Sequence, residues 1–301
     1  MVDSRDIRVA ILGAVAREVE ALSPSIERVE PFTLHGQRFL AGSCGGCSLL
    51  VGTTGLGKVN AAITVAALLE RFDVGEVWNV GSAGAYADGP LRVGDVLFTT
   101  ETILGDEGIL SREGVRPLRS IGIPTVARDN EEFYDSFPLG GGSTLAASNK
   151  TPPGLYRLDE KLGPASARVL TAVKINPADS PFAPGESGRI SPPGGVQAPD
   201  PLPPEDSAGR AAFRLFHGPS LTVSMASGDM ETAHARFTRH GALAENMEGS
   251  AIAQACFRFG VPVLEVRGIS NVAGNRDKND WRIKTAIAHC HGIVMNWLGA
   301  A

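Results

Sequence analysis

Short apolar runs that stop at glycine or at small polar residues, each followed by an amphipathic stretch, recur along this 301-residue chain. That alternation limits the folds open to it. Residues 7–12 read as a buried strand ending at Gly13, and 17–22 as a helix. Residues 38–41 and 48–53 read as the arms of a hairpin. Residues 59–72, rich in Ala and Leu, predict a helix, 76–80 the next strand and 96–100 another. The last third repeats the pattern: a strand at 221–225, a helix at 247–259 closed by Gly260 and Pro262, and a strand at 263–269 running into Ser270 and Asn271. Ile283, Ile287, Cys290, Val294 and Trp297 then recur at helical spacing. The pattern predicts an α/β fold on a mixed or mostly parallel sheet.

The middle of the chain breaks the rhythm. Residues 177–204 hold nine of the 20 prolines, with Gly, Ser and Asp between them. Such a stretch cannot build a packed core and reads as a loop, an insertion at about 173–210. The net charge of −5, with basic residues neither in excess nor in runs, excludes a nucleic-acid-coating surface. No stretch approaches the ~20 apolar residues of a membrane span, and the N-terminus lacks the layout of a secretory signal, so a cytoplasmic protein without membrane partners is expected. Cys44 and Cys47 form a CxxC among glycines between two strand-like runs, which reads as a hairpin turn. Cys256, Cys290 and the six histidines are scattered, so neither a metal nor a cofactor is expected.

Four strings could carry chemistry. The first, GTTGLGKV at 52–59, fits a phosphate-cradling loop except at its end. Val59 stands where Ser or Thr would hold Mg²⁺, so a tight strand-to-helix turn is the better reading. Gly81-Ser82-Ala83-Gly84 follows a strand, and small residues at a strand's carboxyl end let a ligand approach the backbone closely. Glu245-Asn246-Met247-Glu248-Gly249 opens a helix. Glu248 there either complements the helix dipole or accepts hydrogen bonds from two vicinal sugar hydroxyls, with the Met247 thioether packed on the sugar ring. Asn271 closes the fourth string at the end of a strand and offers both a donor and an acceptor to a purine edge.

Taken together, these strings resemble the nucleoside phosphorylase and nucleosidase superfamily. The matching pieces are Ile11-Leu12-Gly13-Ala14 with Glu18, then 55–62, 79–84, 91–95, 246–249 and 266–271, in that order. The resemblance spans residues 7–110 and 220–298 and is poor between them. It implies one domain over 1–301, a three-layer sandwich whose central mixed, partly closed β-sheet is flanked by helices. It also implies an assembly of at least two copies. Within the superfamily, phosphorylases hold phosphate with arginines, and one of those positions corresponds here to Ile103. Near the other phosphate position stands Glu18, and a carboxylate about 4 Å from a phosphate charge costs on the order of 4 kcal/mol at an effective dielectric of 20. The resemblance therefore implies a hydrolase with water as nucleophile.

The string 267–277, with Trp281 beyond it and Gly105-Asp106-Glu107-Gly108 before it, is similar to the futalosine hydrolase family. That family releases hypoxanthine from futalosine in a menaquinone pathway. Asn271 fits this, because an amide donates to a 6-oxo oxygen and accepts from a protonated N7, whereas it cannot act as a general acid. The roles implied are Glu18 and Asn271 as catalytic residues, and Ser82, Ala83, Gly84, Asn246, Met247, Glu248 and Ser270 as substrate-binding residues. The purine N7 proton would come from solvent or Asp229. Arg112, Arg116 and Arg119 are the basic groups considered for the benzoate end of futalosine, or else they are solvated surface charges. The alternatives are a methylthioadenosine/S-adenosylhomocysteine nucleosidase, a purine nucleoside phosphorylase, or a nucleoside-binding protein without catalysis.

Overall fold

Strand β1, Asp6–Gly13, is apolar on both faces, and its side chains divide between two cores. Ala10 and Leu12 pack on one side of the sheet, Val9 and Ile11 on the other. A strand buried on both faces must lie inside a sheet, and the computed structural model, which describes residues 6–112, 114–128, 130–139, 173–174 and 213–298, places it there. After β1 the chain makes two short 3-10 segments, Ala16–Glu18 and Glu20–Ser25, where a helix over 17–22 was expected. Pro24 lies inside the second, and the Glu18 carboxylate accepts the Ala14 and Val15 amides, holding the turn tight.

Strands β2 (Glu27–Leu34), β3 (Gln37–Cys44) and β4 (Cys47–Thr53) form a meander. The CxxC is its β3–β4 turn, as expected: Cys44 and Cys47 are register partners, and Gly45 and Gly46 both take positive φ, 56° and 79°. All four cysteines are free thiols. Helix α1, Lys58–Arg71, buries Ala61, Thr64, Val65, Leu68 and Leu69 at helical spacing against the Leu12 side of the sheet.

Strand β5 runs Asp73–Ala85, well past the expected end at 80. Residues 81–84 are therefore strand and not the turn after one. They pair with a neighbour on one side throughout, and Gly84 and Ala85 pair on the other as well. Strand β6 (Val96–Leu104) follows, then two small hairpins, β7 (Ile109–Ser111) with β8 (Gly114–Arg116) and β9 (Val126–Arg128) with β10 (Glu131–Phe133). Strand β11 (Ser136–Pro138) lies along β6, and β12 (Val173–Lys174) along the next long strand, β13. The rest of the proline-rich stretch lies outside the described residues.

Strand β13 is Leu215–Thr222, so the expected strand at 221–225 starts earlier and stops before Ser224. Helix α2 (Met230–His240), strand β14 (Ala244–Asn246) and helix α3 (Gly249–Phe259) follow, with α3 closed by Gly260 at φ 69°. Strand β15 (Val263–Val272) and helix α4 (Ile283–Leu298) complete the order.

Eleven of these strands make one mixed sheet, and it closes on itself. Strand β15 pairs parallel with β5 and antiparallel with β6. The pairs β6–β13, β13–β14 and β14–β5 complete a ring, from which β1, β4, β3 and β2 extend as an open arm. Helices α1 and α3 cover one side and α4 the other. This is the partly closed sheet between helix layers that the resemblance implied. Among the described residues no helix is long and apolar enough to cross a membrane.

Candidate active site

Just beyond the end of β1, beside the paired strands β5 and β15, three charged side chains are buried together: Glu18 at 5% exposure, Glu248 at 4% and Arg267 at 1%. The Glu18 carboxylate is held at both oxygens. Oε2 accepts the amides of Ala14 (2.9 Å) and Val15 (3.4 Å), and Oε1 accepts the amide and hydroxyl of Ser82, both at 2.9 Å. The backbone carbonyl of Glu18 accepts a third kind of contact, from His291 Nε2 of α4 at 2.7 Å. This carboxylate is fixed in place as an acceptor. Gly81 makes the approach feasible, since a Cβ there would stand 2.8 Å from both Glu18 Oε1 and Arg267 Nη1.

Glu248 stands at the N-cap of α3, and its Oε1 accepts the Gly57 amide at 2.9 Å. Burial pushes its carboxyl above the usual range, against the pull of Arg267 and the Gly57 bond, and the Glu18 charge adds to the rise. Met247 beside it is partly exposed. Asn246 is turned inward. Its Oδ1 accepts the amides of Glu248 (3.1 Å) and Gly249 (2.8 Å), and its Nδ2 faces Ser220 Oγ and Glu265 Oε1. The structure thus uses Asn246 to seat Glu248 and the start of α3.

Asn271 follows a bulge in β15, with Gly84 as its register partner. Its Nδ2 donates to Val272 O at 3.0 Å and its Oδ1 accepts from Ser270 Oγ at 2.7 Å. The opposite amide orientation would set two oxygens against each other at Val272, so this geometry defines which end is the donor. One amide proton and one lone pair remain for a partner. Ala83 is buried, its carbonyl 3.2 Å from Ser270 Oγ. Asp229 caps α2 through Thr232 N, and that bond holds its carboxyl below the usual range, so it is no ready proton donor. Arg112, Arg116 and Arg119 are exposed, and Arg119 pairs with Asp135.

Two parts of the site were not legible. The first is Arg267 with Glu265, two charges on one face of an otherwise apolar strand; the signal was their spacing of two. The second is a clasp around Lys58, whose ammonium pairs with Asp106 (2.5 Å) and Glu107 (2.9 Å). Asp106 also accepts the amides of Ser224 and Met225. The cradle-like GLGK loop therefore grips two neighbouring loops through Lys58 and Glu248 through Gly57.

Comparison with known proteins agrees with this layout. The family model described as the phosphorylase superfamily matches residues 8–296. A futalosine hydrolase from Thermus thermophilus is 30% identical over 86% of this chain and 83% of its own length. A 5′-methylthioadenosine/S-adenosylhomocysteine nucleosidase from Psychromonas ingrahamii is 24% identical over 90% and 89%. Among solved structures, the nucleosidase of that type from Colwellia psychrerythraea, in complex with adenine, superposes with a TM-score of 0.66 at 21% identity, covering 99% of this chain and 96% of the other. That likeness establishes the fold.

Proposed function

This chain belongs to the phosphorylase superfamily, and on that premise we propose that it hydrolyses the N-glycosidic bond of a purine nucleoside, with futalosine as substrate and hypoxanthine as the released base. The observation that carries the reading is the Glu18 carboxylate, gripped by four donors beside Ser82 and close to Glu248 and Arg267. An anionic acceptor there disfavours phosphate and suits a water molecule.

In this reading Glu18 holds the attacking water and takes its proton, with Ser82 keeping the carboxylate aimed. Glu248 accepts hydrogen bonds from the ribose hydroxyls, and Met247 packs on the sugar. Positive charge that builds on the ribose as the bond lengthens is stabilised by the two carboxylates. The remaining proton and lone pair of Asn271 meet the 6-oxo group and the protonated N7 of the departing base. Asp229 is engaged in capping α2 through Thr232 N, and in this reading solvent supplies the N7 proton. The choice of futalosine is supported by the 30% identity to the Thermus thermophilus enzyme and by the amide at position 271.

Incubating the protein with futalosine, inosine and methylthioadenosine, each with and without phosphate, and separating the products by chromatography tests this. Phosphate-independent release of hypoxanthine from futalosine is the expected result. Adenine from methylthioadenosine would move the substrate to that of the other nucleosidases. Release that required phosphate would overturn the role of Glu18.

A further inference from the structure

Glu265 takes no part in the chemistry above, yet it is among the most heavily bonded side chains of the molecule. It is 1% exposed and faces the interior of the closed ring of strands. Its Oε1 accepts from Thr99 Oγ1 (2.8 Å), Ser220 Oγ (2.7 Å) and Asn246 Nδ2 (3.2 Å), and its Oε2 from Asn79 Nδ2 (2.6 Å) and Arg267 Nη2 (3.0 Å). Five donors converge on this one buried carboxylate. Gly249 leaves room for it, because a Cβ there would collide with Glu265 Oε2.

Arg267 lies two residues on along β15, hence on the same face. One end of its guanidinium is tied to Glu265. The Nη1 end reaches the space above Gly81 that it shares with Glu18 Oε1. Its Nε has no hydrogen-bond partner among the described residues, so the tie to Glu265 is what directs the fork. Burial works against the guanidinium charge, and Glu265, Glu248 and Glu18 together outweigh it. Among the described residues, the other titratable groups behind this cluster are His291 and Cys290 of α4. Burial holds the first below its ordinary value and the second up at about 12, so both are neutral.

We infer that Glu265 is a positioning residue for the proposed hydrolysis. It aims the Arg267 guanidinium between Glu18 and Glu248 and balances its charge, so that the cationic sugar forms in a net negative surround. This rests on the reading of the site as a nucleosidase. A carboxylate that merely knitted β5, β6, β13 and β15 together would affect folding and leave the titration of the site alone.

The experiment compares the pH profiles of kcat and KM for wild type, Glu265→Gln, Arg267→Met and the double variant, alongside carboxyl ¹³C titration of Glu248. In Glu265→Gln the unbalanced guanidinium favours ionised Glu18 and Glu248, so the acid limb of kcat moves down by about one pH unit. Turnover falls roughly 10- to 100-fold while KM stays within about threefold. In the Arg267→Met background the same substitution moves neither limb nor titration. An unmoved acid limb in Glu265→Gln, or an equal shift with Arg267 gone, overturns the inference. Should Glu265→Gln fail to fold, Arg267→Met against the double variant decides: coinciding limbs support it and a further shift sinks it. If the wild type releases no base from any nucleoside, the functional reading has failed instead. The Glu248 titration then decides alone, by moving down in Glu265→Gln or staying put.

Discussion

Four donors converge on the two oxygens of Glu18. Replacing it by Gln turns one of those ends into a donor that faces donors, and removes the proposed base. Turnover of Glu18→Gln is expected to fall by about 10² to 10⁴, with substrate affinity within a few-fold, measured by steady-state kinetics and equilibrium binding. Wild-type turnover would remove Glu18 from the mechanism. Asn271→Asp tests the other end of the substrate. A carboxylate accepts from a 6-amino group and cannot donate to a 6-oxo group, so the ratio of hypoxanthine to adenine nucleoside kcat/KM should drop by roughly tenfold or more. An unchanged ratio would detach base choice from this residue. Of the candidate site, Ser82, Glu248 and Asn271 stand in strings that the sequence itself singles out, and Glu18 was picked out by the family resemblance. Arg267 and Glu265 were not. Alternating charges on an apolar strand ordinarily face water, and only the pairing of β15 with both β5 and β6 turns that face inward.

Helices α1, α3 and α4 were legible to within about two residues, because their apolar spacing is set by the chain's own periodicity, whereas α2 was not anticipated. Strands β1 and β4 were legible as closely, but the extents of β5, β6 and β13 were not, because pairing is decided by distant residues. Residues 81–84 continue β5 only since β15 and β14 arrive beside them. The segment 16–25 failed as a helix for a local reason, Pro24, and a nonlocal one, the reach of Glu18 to Ser82. Helix α3 begins under a constraint of this second kind. A helical Gly→Ala change ordinarily stabilises by up to about 1 kcal/mol. At Gly249 a methyl group meets Glu265 Oε2 and stands 3.0 Å from Asn246 Oδ1 and Thr102 Oγ1. Gly249→Ala is therefore expected to destabilise, by about 1–3 kcal/mol in denaturant titration. A gain in stability would mean that α3 can shift away from the buried polar cluster.

Acid should loosen the whole molecule through histidine as well as through its carboxylates. Burial holds His289 and His291 below their ordinary value, and pushes His240 down to about 4. Each binds its proton more weakly folded than unfolded, so stability is full above the unfolded value near 6.5 and declines as pH falls from there toward 4. The melting temperature at about pH 5 should lie below that at about pH 7.5, and His291→Gln should recover part of the difference. A slope unaffected by that substitution would shift the effect to the other two. Beyond stability, the Gly57 amide on Glu248 has a thermodynamic consequence. A carboxylate oxygen accepts two bonds, so a sugar hydroxyl can join it without displacing that amide, and a side chain already held in place loses little freedom in the process.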